Sequence, residues 1–251
     1  MPEEPLSGGN TSGAVVRVGD TVRKPQLAST PSVHAYMSAV RQAGVDVPAV
    51  FDMDAAGRQV IEFVPGRLAL DSDPLTEEEL TRVGGIVREI HDASERFSAP
   101  ATAVWDVAIE APTDELICHN DLAPWNLIVG DRWTFIDWDS AGPSSRLWDL
   151  AYAAQAFTLS DPDQEAAESG ARLAAFVAGY RASQQLRQDL PAAMYRRAAA
   201  MYELLRSSHA TGREPWSSMF IDGHGDHWRK VTEYVKDHHE VWASALVELT
   251  Q

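Results

Sequence analysis

The stretch that decides the fold runs from residue 117 to residue 150 and reads ICHNDLAPWNLIVGDRWTFIDWDSAGPSSRLWDL. Short apolar runs alternate there with polar side chains, which include His119, Asp121, Asn126, Asp137, Asp139 and Asp149. Carboxylates among apolar strand residues are costly unless they are paired or bind a cation. The density of carboxylates in this stretch therefore predicts a functional site.

The spacing within this stretch favours metal-dependent phosphoryl transfer. Asp121 is followed five residues later by Asn126, and Asp137 ends the next predicted hairpin strand. Mg²⁺ takes few protein oxygens and keeps water or substrate phosphates as its other ligands. Phosphoryl transfer needs a base near the acceptor hydroxyl and Mg²⁺ on the phosphates. The alternative interpretation is an acidic surface loop with capping aspartates.

Three short motifs in this stretch resemble those of a known family. Residues 119–126 (HNDLAPWN) resemble the HxDxxxxN catalytic loop of the aminoglycoside phosphotransferase and choline kinase branch of the protein-kinase-like fold. Residues 136–139 (IDWD) resemble its metal-binding motif, and residues 148–151 (WDLA) the start of its following helix. The short N-terminal part also resembles small bacterial members, phosphotransferases or trifolitoxin-immunity-like proteins. The resemblance implies an α+β, two-lobed fold with a small β-rich N-lobe and a larger helical C-lobe.

The resemblance also implies a role for each matching residue of the C-lobe. Asp121 would accept or orient the proton of the substrate hydroxyl. Asn126 and Asp137 would hold Mg²⁺ on the nucleotide phosphates, with Asp139 as a neighbour. His119 would brace the catalytic loop, and so would Asp149 from the following helix.

The nucleotide site is expected in the N-lobe. Val22-Arg23-Lys24 resembles the family's strand that grips the α- and β-phosphates through a lysine, which points to Lys24, with Arg23 one register step away as the alternative. Backbone groups from Glu62 to Val64 would bind the adenine edge at a hinge. The resemblance implies ATP as the nucleotide and leaves GTP open.

One departure from the family lies in the first helix. The family pairs its lysine with a glutamate there, but the sequence has no glutamate between Glu4 and Glu62, and His34 stands near the expected position. A neutral imidazole accepts one hydrogen bond and forms no ion pair. We therefore expect another group to hold the lysine, or a less firmly held lysine.

The chain divides into two parts by pattern, residues 1–66 and residues 67–251. The first part predicts a hairpin of residues 14–18 and 21–24, a helix from Thr30 toward Gly44, and a strand over residues 58–64. A hinge is expected over residues 62–68. The glycine-rich run 8–13 is either a phosphate-covering loop or an N-terminal tail.

The second part is predicted to be mostly helical. Thr76 followed by three glutamates matches a capping box, and short strands are expected over residues 116–118, 127–129 and 133–136. After Asp149 the pattern predicts helices with breaks near residues 161–162, 190–191 and 212–215. An amphipathic helix is expected over residues 228–249.

Other polar residues outside these motifs are also candidates for a site. His224-Gly225-Asp226 spells a frequent form of the family's catalytic triplet, but Val231 stands where a metal-binding asparagine is needed. With neighbouring histidines it could bind a transition metal, although a solvated helix start is the favoured interpretation. Cys118, the single cysteine, is expected to be a buried apolar residue.

Charge and composition exclude several classes of function. The 251 residues carry a net charge of −16, and residues 1–66 contribute five basic and seven acidic side chains. The acidic excess therefore lies in the C-lobe. It disfavours nucleic acid and anionic membranes as partners and favours a cationic small acceptor. The N-terminal stretch lacks the features of a signal peptide, which predicts a cytoplasmic protein.

The combined prediction is a phosphotransferase that moves the γ-phosphoryl group of a nucleoside triphosphate to a hydroxyl of a small acceptor, such as an aminoglycoside or another antibiotic. The alternative is a kinase-like binding or immunity protein with little turnover. The sequence leaves the acceptor and the oligomeric state open.

Overall fold

The computed structural model describes residues 2–6 and 15–247. The glycine-rich run 8–13 lies outside the described residues, so both of its interpretations stay predictions. In the described residues, no helix combines the length and apolar character that crossing a bilayer requires.

The small lobe is built on an antiparallel five-stranded sheet with the spatial order β1–β2–β3–β5–β4. Its strands are β1 (Glu4–Pro5), β2 (Val16–Val18), β3 (Thr21–Lys24), β4 (Val50–Phe51) and β5 (Gln59–Glu62). The predicted hairpin is present, with Gly19 at φ 60° in the two-residue turn between β2 and β3. Helix α1 (Thr30–Gln42) lies between β3 and β4 in the chain, and its buried residues include Val33, Tyr36 and Val40.

Two small sheets link the lobes and frame the large lobe. Strand β6 (Arg67–Leu68) follows the hinge and pairs with β8 (Leu127–Val129), which pairs in turn with β9 (Thr134–Phe135). Strand β7 (Leu116–Cys118) pairs with β10 (Gly142–Ser144). Cys118 is fully buried, as expected, and burial raises the pKa of its thiol. The boundary at residue 66 stays a prediction.

Eight helices are described in all; those of the large lobe are α2 (Glu77–Ser94), α3 (Arg146–Thr158), α4 (Ala166–Tyr180), α5 (Gln184–Thr211), α6 (Trp216–Met219), α7 (Gly225–Asp237) and α8 (His239–Val247). The capping box at the start of α2 is confirmed: Thr76 accepts from the Glu79 N–H, and the Glu79 carboxylate accepts from the Thr76 N–H. The expected α+β fold, with a β-rich small lobe and a larger helical lobe, is confirmed.

Helices α2 and α4 cross at two glycines. A Cβ on Gly84 would lie 2.0 Å from the Phe176 carbonyl oxygen, and one on Gly179 would lie 1.9 Å from the Thr81 carbonyl oxygen. No side chain larger than hydrogen fits at either position, so the two backbones are in direct contact. This contact fixes α2 behind the central segment of the large lobe.

Two predictions about the helical part are wrong. The break expected near Leu190 and Pro191 is absent, because α5 continues through Pro191 and gives up one backbone hydrogen bond there. The single helix expected over residues 228–249 is two helices within the described residues, α7 and α8, which change direction at His238. A π-helical turn over Phe220–His224 precedes α7.

Candidate active site

The predicted catalytic loop, residues 119–126, lies between β7 and β8 and ends in a 3₁₀ turn over Pro124–Asn126. Asn120 has a left-handed backbone with φ 65°. Its side-chain amide donates to the carbonyl oxygens of Ser140 (3.2 Å) and Gly142 (3.3 Å), and its N–H donates to Asp149 Oδ1 at 2.9 Å. These bonds hold an unfavourable conformation that directs the next residue, Asp121, into the cleft.

His119 lies fully buried beneath the loop. Its Nδ1 accepts from the Asp121 N–H at 3.2 Å, so its Nε2 carries the proton and donates to the Ile136 carbonyl oxygen at 3.1 Å. Burial lowers the pKa of His119 below its ordinary value. The neutral ring therefore ties the catalytic loop to the strand that leads to Asp137, which is the bracing geometry expected for it.

Asp121 accepts three hydrogen bonds. Oδ1 accepts from the Tyr152 hydroxyl at 3.0 Å, and Oδ2 accepts from Asn126 Nδ2 at 2.7 Å and more weakly from Trp125 Nε1 at 3.4 Å. Burial raises the pKa of Asp121 above its ordinary value, although these donors oppose that effect. A carboxylate in this setting is fixed in direction and more basic than an exposed aspartate, which suits a group that accepts a hydroxyl proton.

The expected metal ligands converge on the same cleft. The Asn126 amide nitrogen is used by Asp121, which leaves its Oδ1 as a ligand. Asp137 has a left-handed backbone with φ 58° and precedes the 3₁₀ turn Trp138–Ser140, which contains Asp139. Asp139 Oδ2 is buried, and Lys24 Nζ lies 2.8 Å from it as its counter-charge. A donor set of two carboxylates and one amide oxygen, all oxygen, fits Mg²⁺.

Lys24, rather than Arg23, faces these carboxylates. Its Nζ lies 2.9 Å from Asp137 Oδ1 and 2.8 Å from Asp139 Oδ2, and the residue is only 5% exposed. Burial alone would lower the pKa of Lys24, but the two carboxylates outweigh that effect and raise it. The neighbouring Arg23 points to the other side of the sheet, where it lies 3.7 Å from Asp54.

Where the family has a glutamate beside the lysine, this protein has a hydrogen-bonded pair, His34 and Gln59. His34 Nε2 lies 3.1 Å from Gln59 Oε1, and Gln59 stands opposite Lys24 in the strand register. Gln59 Nε2 donates to the Pro25 carbonyl oxygen, and burial lowers the pKa of His34. Neither residue forms an ion pair with Lys24, so Asp137 and Asp139 supply the negative charge that holds the lysine.

The two predicted hinge residues differ in their hydrogen bonding: the Glu62 side chain is bonded within the protein, whereas the Val64 backbone is not bonded within the described part of the chain. The Glu62 carboxylate accepts from the Ala49 N–H (2.9 Å) and from Arg132 Nη1 (2.6 Å), and the Phe63 N–H donates to the Asp20 carbonyl oxygen. The Glu62 carboxylate is thus used in hydrogen bonds within the protein. The backbone polar groups of Val64 have no hydrogen-bond partner among the described residues.

A buried hydrogen-bonded chain supports the catalytic loop from behind. Asp149 Oδ2 lies 3.0 Å from His91 Nε2, and His91 Nδ1 lies 2.8 Å from the Tyr180 hydroxyl. Arg146 Nη1 donates to that hydroxyl at 3.2 Å. Asp149, expected to brace the loop, therefore contacts it through Asn120 and is itself anchored to α2 and α4.

The sequence analysis did not predict one group of side chains next to Asp121. Tyr152, one helical turn after Asp149, stacks against Trp228 with ring centroids 6.3 Å apart. Arg197 of α5 lies over the Tyr152 ring, with its guanidinium carbon 4.1 Å from the ring centroid. Spacing on α3 could have indicated Tyr152, but no local pattern marks Arg197.

The rejected triplet His224-Gly225-Asp226 lies elsewhere on the molecule. Asp226 forms ion pairs on the surface of α7 with Arg229 (2.8 Å) and Lys230 (3.0 Å). Together with residues 160–163 this segment borders an open pocket of about 380 Å³. The contacts of Asp226 are those of a solvated helix start.

Comparison with known proteins gives a family match and several structures of the same fold. Residues 99–194 match the model of the phosphotransferase enzyme family, a segment that contains residues 119–126, Asp137 and Asp139. A microcompartment-associated aminopropanol kinase has the same fold, with a TM-score of 0.68 at 17% identity, over 99% of this chain and 94% of that one. The resemblance to the aminoglycoside phosphotransferase and choline kinase-like family is confirmed.

Other proteins of kinase-like fold are similar over most of their length. The amicoumacin kinase hAmiN matches with a TM-score of 0.67 at 13% identity, over 92% of this chain and 88% of that one. A choline/ethanolamine kinase family protein from Mesorhizobium loti matches with a TM-score of 0.60 at 16% identity, over 98% and 92%.

One curated relative is similar in sequence. The trifolitoxin immunity protein of Rhizobium leguminosarum bv. trifolii is 29% identical over 156 residues, which is 59% of this kinase-like chain and 59% of that protein. The chain thus spans about three fifths of the length of the curated relative that it matches.

Proposed function

We propose that this protein transfers the γ-phosphoryl group of a nucleoside triphosphate to a hydroxyl group of a small acceptor. The observation that carries the proposal is the convergence of Asp121, Asn126, Asp137 and Lys24 on one cleft between the lobes. Phosphoryl transfer requires positioning and charge neutralisation rather than a covalent intermediate on the protein. This set of side chains supplies both.

Each residue has a defined task in the proposed reaction. Asp121 orients the acceptor hydroxyl and accepts its proton, since its fixed carboxylate has a raised pKa. Lys24 leaves its two carboxylates and binds the phosphates of the nucleotide. Asn126, Asp137 and Asp139 would hold Mg²⁺, which when bound neutralises phosphate charge. The free backbone groups of Val64 would hydrogen-bond the base of ATP, or of GTP.

The acceptor is expected to be a small hydroxylated molecule rather than a nucleic acid. The C-lobe carries 30 acidic and 16 basic side chains outside residues 1–66, which attracts positive charge and repels polyanions. An aminoglycoside, another antibiotic or an amino alcohol meets that requirement. We place this reaction in the cytoplasm, where nucleoside triphosphates are available.

The test is release of nucleoside diphosphate over a panel of hydroxylated antibiotics and amino alcohols, with ATP and GTP compared. We expect acceptor-dependent release by the wild type and loss of most of it in Asp121→Asn. Asp131→Asn is the matched control, because it makes the same change of charge at an exposed residue in a hairpin turn. Equal release by Asp121→Asn and wild type would exclude the proposed role of Asp121.

A second candidate is binding without turnover, as in an immunity protein that sequesters a toxin. The similarity to the trifolitoxin immunity protein favours it. Binding of a peptide antibiotic by calorimetry, with no diphosphate release under any condition, would support this candidate over transfer.

A further inference from the structure

Arg197 is a buried cation that lies against aromatic rings but has no hydrogen-bond or ion-pair partner among the described residues. The residue is 6% exposed, and its guanidinium makes no hydrogen bond and no ion pair with any described residue. Its Nη1 is completely enclosed and unsatisfied. A buried charge is strongly unfavourable unless it is paired, so natural structures keep one mainly where a counter-group binds.

A second orphaned donor lies beside it. Trp148 Nε1 is also buried and has no acceptor among the residues that the structure describes. The Arg197 guanidinium carbon lies 5.9 Å from the Trp148 ring centroid and 4.1 Å from that of Tyr152. Trp148 and Tyr152 are one turn apart on α3 and share a face, so both side chains with unpaired N–H donors lie on the side of α3 that faces α5.

This pair of donors belongs to the acceptor side of the cleft. The Tyr152 ring has the guanidinium over its face, and its hydroxyl donates to Asp121 Oδ1 at 3.0 Å. One aromatic ring therefore spans the distance between the unpaired donors and the carboxylate that faces the acceptor. The nucleotide-facing Lys24 lies on the other side of the cleft, against Asp137.

The chemistry of the donors selects the chemistry of the ligand. Arg197 and Trp148 offer N–H groups only, so they bind an acceptor of hydrogen bonds. The aromatic face that could attract a ligand ammonium is already covered by the guanidinium. A carboxylate supplies two oxygens in the plane that a guanidinium fork matches, and it cancels the buried charge.

We propose that the acceptor carries a carboxylate, which binds to Arg197 and Trp148 Nε1 between α3 and α5 while the acceptor's hydroxyl faces Asp121. The proposal rests on the proposed function and narrows it to hydroxyl-bearing carboxylic acids, such as hydroxylated amino acids or peptides. An ammonium elsewhere on the same molecule agrees with the acidic C-lobe. The acceptor is then a zwitterion rather than a simple cation.

The experiment compares matched acceptors with the full-length wild type. Hydroxylated amino acids and short hydroxy acids are each tested beside their methyl ester and their carboxamide, by calorimetry without nucleotide and by diphosphate release with Mg-ATP. We expect the acid to bind roughly 10- to 100-fold more tightly than its ester or amide, the range of one charge-assisted hydrogen-bonded pair. Equal affinity of the acid, its ester and its amide would overturn the proposal. Failure of every acid to bind would also overturn it and would mean that the two N–H donors bind no ligand other than water.

Two variants assign the effect to the site. Arg197→Met should reduce the affinity for the acid to that of the ester and raise KM for the acid more than it lowers kcat. Arg196→Met is the matched control, because Arg196 is the exposed neighbour on the same helix. Equal effects of the two substitutions contradict the proposal. If Arg197→Met does not fold, Trp148→Phe and the wild-type comparison of acid with ester still decide.

Failure of this inference is distinguishable from failure of the proposed function. Acid-selective binding without diphosphate release would leave the carboxylate site standing and refute transfer. Transfer to hydroxyl acceptors with no preference for the acid would support phosphoryl transfer and refute the carboxylate site.

Discussion

The buried chain behind the catalytic loop has a fixed direction of hydrogen bonding, and Asp149→Asn should leave one of its donors without an acceptor. The Asp149 carboxylate can only accept, so His91 Nε2 carries a proton and donates to Oδ2 at 3.0 Å. His91 Nδ1 then accepts from the Tyr180 hydroxyl, which itself accepts from Arg146. Because Asp149 Oδ1 also accepts from the Asn120 N–H, an asparagine can accept from only one of the two donors and turns its own N–H group toward the other.

The magnitude follows from that mismatch. Asp149 is 1% exposed, so no water can take up an orphaned donor. An unsatisfied buried donor costs about 1–3 kcal/mol, and loss of a charged acceptor adds to this. We expect Asp149→Asn to lower the free energy of unfolding by about 3 kcal/mol, which in a chain of this size lowers Tm by roughly 6–12 °C.

The assay is urea unfolding followed by circular dichroism, with calorimetry for Tm. The control is Asp131→Asn, which makes the same chemical change at an exposed site and should stay within about 0.5 kcal/mol of wild type. A change of less than 0.5 kcal/mol for Asp149→Asn itself would refute the deduced proton order and the bracing role built on it.

Three further predictions follow from the geometry. Lys24→Met should weaken Mg-ATP binding at least about tenfold, and Arg23→Met much less, by calorimetry; the reverse order would shift the phosphate-binding register by one residue. Gly84→Ala should destabilise the protein by about 1–3 kcal/mol, because the added methyl group overpacks against α4. Gly85→Ala should stabilise it by about 0.5–1 kcal/mol, because a Cβ at Gly85 meets nothing closer than 3.8 Å. Denaturant titration measures both changes in the free energy of unfolding, and changes of the same sign would contradict the backbone contact. Burial alone would raise the pKa of Glu62, but its hydrogen bonds and arginine partners lower it below 4.5. Its stabilisation is therefore present above the unfolded pKa and lost as the pH falls through the lower folded pKa. Glu62→Gln should cost about 1–2 kcal/mol at pH 7 and progressively less below pH 4.5, as measured by Tm across pH; a constant difference would argue against the ion pair.

Local patterns in the sequence were sufficient for the catalytic loop and the ends of several elements. The capping box at Thr76 and the hairpin turn at Gly19 depend only on neighbouring residues, and both are present. The prediction that Asp121, Asn126 and Asp137 act together came from short motifs that resemble those of a known family. Such features are encoded within a few residues of each other, so a single sequence reveals them.

Contacts between distant segments could not be predicted in the same way. Pro191 indicated a break, but packing of α5 against the large lobe outweighs one lost hydrogen bond. The contact between Gly84 and α4 depends on the crossing of two helices about 90 residues apart in the chain. Arg197 has no signal in its own neighbourhood, because its importance comes from groups on α3.

The contact of Lys24 with Asp137 and Asp139 joins the two lobes through opposite charges, and this has a thermodynamic consequence. An anion that draws the lysine away frees two carboxylates, and a cation that occupies the carboxylates frees the lysine. Each ion therefore lowers the free energy of binding the other even if the two never touch, and the coupling is equal in both directions. Screening by added salt acts only weakly on a contact whose lysine is buried, so ions that bind to these groups, rather than ionic strength in general, should control how easily the lobes separate.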